Sequence, residues 1–123
     1  MKKRVLSPER LRKVPPQFSW IDHRLVREDY FLRCDHPAWA LYLFLTSVAD
    51  AEGLSYYSDA SLMRRLKLDP AALSASRRQL VQAGLIAYET PFYQVLSLEP
   101  VGAVRSGPIS VGELLAKALG GRP

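Results

Sequence analysis

Between Ser58 and Ile86 the chain sets Arg64, Arg65, Lys67, Arg77 and Arg78 against two acidic residues, Asp59 and Asp69, for a local net charge of +3. A second cluster lies at the N-terminus, where Lys2, Lys3, Arg4, Arg10, Arg12 and Lys13 face only Glu9 and carry the whole formal net charge of +5. Positive charge is therefore concentrated in two places. Guanidinium and ammonium groups gathered in this way suit the neutralisation of phosphates, and the pattern is the electrostatic footprint of contact with nucleic acid. The competing reading is ordinary solvated surface charge. Periodicity adds a face to the charge: with Leu73 and Leu80 turned inward beside small Ala72, Ser76 and Ala83, a helix starting at Pro70 points Ala71, Ser74, Ala75, Arg78 and Gln82 outward. Arg77 falls at the edge of that face.

Chemistry of other kinds finds little support. The chain has no glycine-rich phosphate loop, no H-E-x-x-H, no G-x-S-x-G and no paired-cysteine zinc motif. Cys34, Asp35 and His36 are consecutive, but a zinc site takes about four ligands and the only other histidine is His23. The expectation is a small thiol beside a helix cap. Asp22 and His23 on an expected strand read as structural rather than as an acid and base pair. No catalytic residue, metal site or cofactor is expected, and the chain does not read as an enzyme. A single cysteine excludes an intrachain disulfide and fits a reducing cytoplasm. No segment approaches the roughly 20 apolar residues that span a bilayer, and no apolar run of signal-peptide length follows the charged start.

The elements that must position the basic residues follow from local signals. Asp59 is expected to cap a helix in which Leu62, Met63 and Leu66 share a face. Asp69 and Pro70 restart the chain as the second helix, because proline tolerates the first helical position while the aspartate accepts a bond from a free amide. Gly84 stops it. Leu85 to Glu89 and Phe92 to Leu98, joined by Thr90 and Pro91, read as a hairpin. Upstream, Phe18 to Val26 alternates around Trp20, Asp22 and Arg24 and is expected to add a third strand, while Leu54 to Tyr57 reads as a brief extended piece. Asp35, His36 and Pro37 open a helix whose run from Ala38 to Ala49 is apolar almost all round, as befits a buried spine. A face of it left uncovered at Trp39, Tyr42 or Phe44 would serve self-association. At 48% hydrophobic content there is enough apolar material for one modest core.

Three stretches together, A-L-Y-L-F-L at Ala40 to Leu45, S-D-A-S-L-M-R-R-L-K-L at Ser58 to Leu68 and L-V-Q-A-G-L-I at Leu80 to Ile86, resemble the winged helix-turn-helix domains of bacterial transcription regulators and of plasmid or phage replication initiators. The resemblance implies a mainly α fold with a small antiparallel β-sheet (α+β), and a DNA-binding role in transcriptional regulation or in replication and mobile-element control. It divides the chain into a basic flexible arm (1–17), the winged domain (18–98), a linker (99–108) and a short C-terminal amphipathic helix (109–120). By the same resemblance the outward face of the second helix enters the major groove of double-stranded DNA. Ala71 and Ala75 would touch thymine methyls, Ser74 would bond a base or phosphate, Arg78 would reach guanine or a phosphate, and Gln82 and Arg77 flank them. Arg64, Arg65 and Lys67 would hold phosphates, and Lys2, Lys3 and Arg4 would add sequence-independent contacts. A homodimer is a further expectation, since one such domain reads a short half-site. The departures are a reading face poor in long polar side chains and a wing tip of Glu89, Thr90 and Pro91 that lacks a basic residue. The alternative is therefore a protein interaction module, assembling through the wing at Tyr88, Phe92 and Tyr93 or through the C-terminal helix.

Overall fold

Asp35 begins the helix on which the other elements are arranged. Its carboxylate accepts a bond from the Ala38 amide at 3.1 Å, and Pro37 occupies the first turn. In the computed structural model, which describes residues 2–98, that helix is the second of four. The order is α1 (Arg24–Arg27), α2 (His36–Val48), β1 (Leu54–Tyr56), α3 (Asp59–Leu66), α4 (Pro70–Gln82), β2 (Ile86–Glu89) and β3 (Phe92–Val95), with short 3-10 turns at Pro8–Arg10 and Tyr30–Arg33. The class is α+β. The expected linker 99–108 and C-terminal helix 109–120 lie outside the described residues.

The three strands form one antiparallel sheet in the order β1-β3-β2, so the last strand in sequence is the central one. Leu54 lies opposite Gln94 and Tyr56 opposite Phe92, while Ile86 lies opposite Val95 and Glu89 opposite Phe92. The hairpin strands are shorter than their apolar runs suggested. Gly53 enters β1 with a φ of +88°, and a Cβ there would sit 2.5 Å from the Val95 carbonyl oxygen. The glycine is required twice over, by its backbone conformation and by this close approach, across which the Val95 amide donates to the Gly53 carbonyl at 2.8 Å.

The third strand comes from Leu54–Tyr56 and not from Phe18 to Val26, which corrects the reading of that segment. The reason is local. The Asp22 carboxylate accepts the Arg24 amide at 2.9 Å and pairs with the Arg24 guanidinium at 2.7 Å, which turns the chain into α1 before an extended run can form. A side chain that satisfies backbone donors in this way competes directly with a sheet ladder. The cap of α3 is a smaller correction: Ser58, with extended backbone, accepts the Ser61 amide at 3.1 Å, and Asp59 is already the first helical residue.

The core runs through Leu41 and Leu45 of α2, Leu62 of α3, Leu73 and Leu80 of α4, and Leu85, Ile86 and Tyr93 of the hairpin, all buried. Each such side chain contributes about 1.5 to 3 kcal/mol of transfer free energy. α2 and α4 form the most extensive helix pair and are also pinned at one end. The Asp35 amide donates to Gln79 Oε1 at 2.7 Å while Gln79 Nε2 donates to Asp35 Oδ2 at 3.0 Å. The outward face of α2 differs from the one anticipated. Tyr42 is buried, and Phe44 packs edge-on against Tyr57 at 5.0 Å, leaving Leu43 as the large apolar residue exposed beside the half-buried Trp39. Among the described residues no helix is long and apolar enough to cross a membrane.

Candidate nucleic-acid interface

The turn between α3 and α4 takes three residues, Lys67, Leu68 and Asp69. Lys67 adopts left-handed backbone at φ 57°, and the amides of Lys67 and Leu68 both return to the Met63 carbonyl, which closes the end of α3. Asp69 Oδ1 then accepts the Ala72 amide at 2.7 Å and Pro70 occupies the first turn of α4. Gly84, at φ +76°, ends the second helix, with the Leu85 amide returning to the Leu80 carbonyl at 3.0 Å. These bonds fix two helices head to tail and set which of their side chains meet solvent.

Arg64, Arg65 and Lys67 are exposed along the end of α3, and Ala71, Ser74, Arg78 and Gln82 are exposed in a row along α4. Ala75, between them, is half-buried. The Arg65 guanidinium lies 6.0 Å from the Phe44 ring centroid, so its stem follows the protein surface. Lys2, Lys3 and Arg4 are exposed too, in irregular chain at the start of the arm. No hydrogen bond or ion pair among the described residues joins them to the α3 and α4 face.

Arg77 does not join the row. Its side chain is 16% exposed, and its Nη2 pairs with Asp59 Oδ1 at 2.6 Å. The Nε donates to the Tyr93 hydroxyl at 3.2 Å, and the guanidinium lies 4.3 Å from the Tyr88 ring centroid. One cation thus ties α4 to the start of α3 and to both strands of the hairpin. Burial pushes the Tyr93 hydroxyl up to about 12, against the opposing pull of the Arg77 charge. Asp59 and Tyr93 were missed as partners, because residues 18 and 16 positions away from Arg77 share no local pattern with it.

The hairpin is also less available to a partner than its composition suggested. Tyr93 is only 1% exposed and is part of the core, while Tyr88 is half-buried on it, with ring centroids 4.6 Å apart. Of the three aromatic residues expected to form a contact surface, only Phe92 is exposed, beside Tyr56 at 5.8 Å. Among the described residues no group of three or more His, Cys, Asp or Glu side chains is placed to hold a metal ion. Burial raises the Cys34 thiol, whose sulfur faces the Gln79 carbonyl oxygen at 3.8 Å, so it is a poor nucleophile where it stands.

Comparison of the chain with protein-family models, with curated proteins and with solved structures found no match in any of the three.

Proposed function

We propose that this protein is a cytoplasmic duplex-DNA-binding protein of the winged helix-turn-helix kind, acting in transcriptional regulation or in the control of a replicon or mobile element. α4 would lie in the major groove with Ala71, Ser74, Arg78 and Gln82 toward base edges. Arg64, Arg65 and Lys67 would meet phosphates, and the basic arm would add contacts that do not depend on sequence. The observation that supports this reading best is the division among the basic residues of α3 and α4. Of the five, only Arg77 is ion-paired and half-buried in the fold, and the other four are exposed along one helix pair. A protein with no polyanionic partner gains little from that arrangement, since like charges held close together repel. Two copies would read two half-sites separated by about one helical turn, roughly 34 Å.

The test is fluorescence anisotropy of labelled duplex DNA over a salt series. The double substitution Arg64→Ala with Arg65→Ala should weaken binding to every sequence and reduce the slope of log affinity against log salt by about 1.8. Arg78→Ala should instead change preference among sites, by about 1 to 3 kcal/mol at the affected base pair. No binding at low salt, or binding indifferent to all three substitutions, overturns the reading. A second reading rests on the exposed Tyr56 and Phe92 pair, which suits a protein partner at the sheet; a Phe92→Ser change that abolishes assembly while leaving DNA binding intact would support it.

A further inference from the structure

Residues Phe18 and Trp20 are large aromatic side chains that the fold leaves outside. They are 64% and 71% exposed, and neither ring stacks on another aromatic ring among the described residues. Both line an open groove of about 530 Å³ together with Tyr42 and Leu98. Phe18 also lines an adjoining groove of about 250 Å³ together with Arg12 and Lys13. Two adjacent cations, Arg12 and Lys13, therefore precede two exposed aromatic rings on one continuous stretch of irregular chain. Apolar rings held in water without a partner are a cost unless something covers them.

We propose that residues 12–20 form a binding site for single-stranded DNA, in which unpaired bases stack on Phe18 and Trp20 while phosphates run along Arg12 and Lys13. Phe18 and Trp20 lie two positions apart along the chain, so neighbouring bases of one strand can reach both rings. Aromatic platforms beside a basic track are how proteins hold single strands without reading their sequence. A duplex offers the rings a base face only at the cost of unstacking a step, because its bases already stack on one another. The charge also sets the polarity of the path. Asp50 and Glu52 line the larger groove on its α2 side, whereas Asp22 is already neutralised by Arg24, so the phosphates belong on the Arg12 and Lys13 side. The site lies at the end of β3 away from the hairpin turn, because its groove is walled by Gln94 to Leu98. It is separate from the α4 face, and either site can fail alone.

The chain contains two tryptophans, which makes the test direct. Trp39 is half-buried, with its Nε1 donating to the Phe31 carbonyl at 3.3 Å, and serves as an internal reference. The full chain is titrated with a dT12 oligonucleotide at low salt while tryptophan emission is recorded. Emission should be quenched in the wild type and in Trp39→Phe, and unchanged in Trp20→Phe. Trp20→Ala should weaken dT12 binding by about 5- to 150-fold. Arg12→Ala with Lys13→Ala should reduce the salt slope by about 1.4. No quenching, quenching that survives Trp20→Phe, equal quenching by a blunt duplex, or tighter binding of the matching U12 RNA would each overturn the proposal. The Arg64→Ala, Arg65→Ala protein separates the two sites: it should lose duplex affinity and keep the dT12 signal. An intact dT12 signal in a wild type that ignores duplex overturns the duplex reading alone.

Discussion

Arg77 with its tyrosines and Arg12 with its neighbouring Phe18 and Trp20 are built from the same ingredients, a cation and two aromatic rings, yet they end in opposite states. Around Arg77 the rings are buried or half-buried and the guanidinium is bonded on two sides. Around Phe18 and Trp20 the rings are among the most exposed apolar side chains of the described residues, and the basic groups beside them face solvent. The difference lies in what is underneath. α4 and the sheet give Arg77 a floor and a wall at the same time, whereas residues 12–21 cross the surface with neither a strand partner nor a helix of their own. Side-chain type sets what an arginine is able to do; packing decides whether it does it for the fold or for a ligand.

The comparison breaks most visibly in the core beneath α4. Leu80→Ala should cost about 2 to 5 kcal/mol in denaturant unfolding, while Leu11→Ala on the exposed arm should stay within about 0.5 kcal/mol. A comparable loss at both positions would mean that the arm is packed after all. Next in size is Arg77→Met, which keeps the stem but strips the Tyr93 hydroxyl of its partner. It should cost about 1 to 3 kcal/mol, set mainly by that buried hydroxyl, because the ion pair with half-exposed Asp59 contributes little. Arg78→Ala, one residue along, should leave the unfolding midpoint almost unmoved. The smallest effects lie at the two ends of the pH scale. Tyr93, held at about 12 by burial, contributes stability that is complete below its ordinary value of 10 and is lost as pH rises through 12; Tyr93→Phe should flatten that alkaline limb. Asp22, held down at about 2 chiefly by hydrogen bonds from Arg24, contributes stability that is complete above 3.8 and is lost as pH falls through 2. Asp22→Asn should flatten the acid limb and leave the alkaline one alone.

What the sequence made legible is what is decided within a few residues. Asp35 before Pro37, Asp69 before Pro70 and Gly84 after the last apolar turn each marked a helix end, because a cap acts on amides two or three positions away. The row of Ala71, Ser74, Arg78 and Gln82 followed from helical spacing alone, given which leucines turn inward. Alternation misled at Phe18 to Val26, where it competed with an equally local bond from Asp22 and had no neighbouring strand to support it. The role of Arg77 was beyond any local pattern, since its partners arrive from α3 and β3 only once the chain has folded. Likewise, the aromatic content of the hairpin said nothing about which rings turn inward, and Tyr93 proved to be core.

The reciprocal pair between Asp35 and Gln79 also supplies a reporter. The Asp35 amide lies at the exposed N-cap of α2, where a backbone N–H would ordinarily exchange its proton with solvent almost at once. Here it is held by a side chain 44 residues away, so its exchange with deuterium waits on release of the Gln79 side chain and not only on fraying of α2. Slow exchange at this one surface position therefore reports on the contact between α4 and α2, and a change on adding a candidate ligand would show that contact loosening.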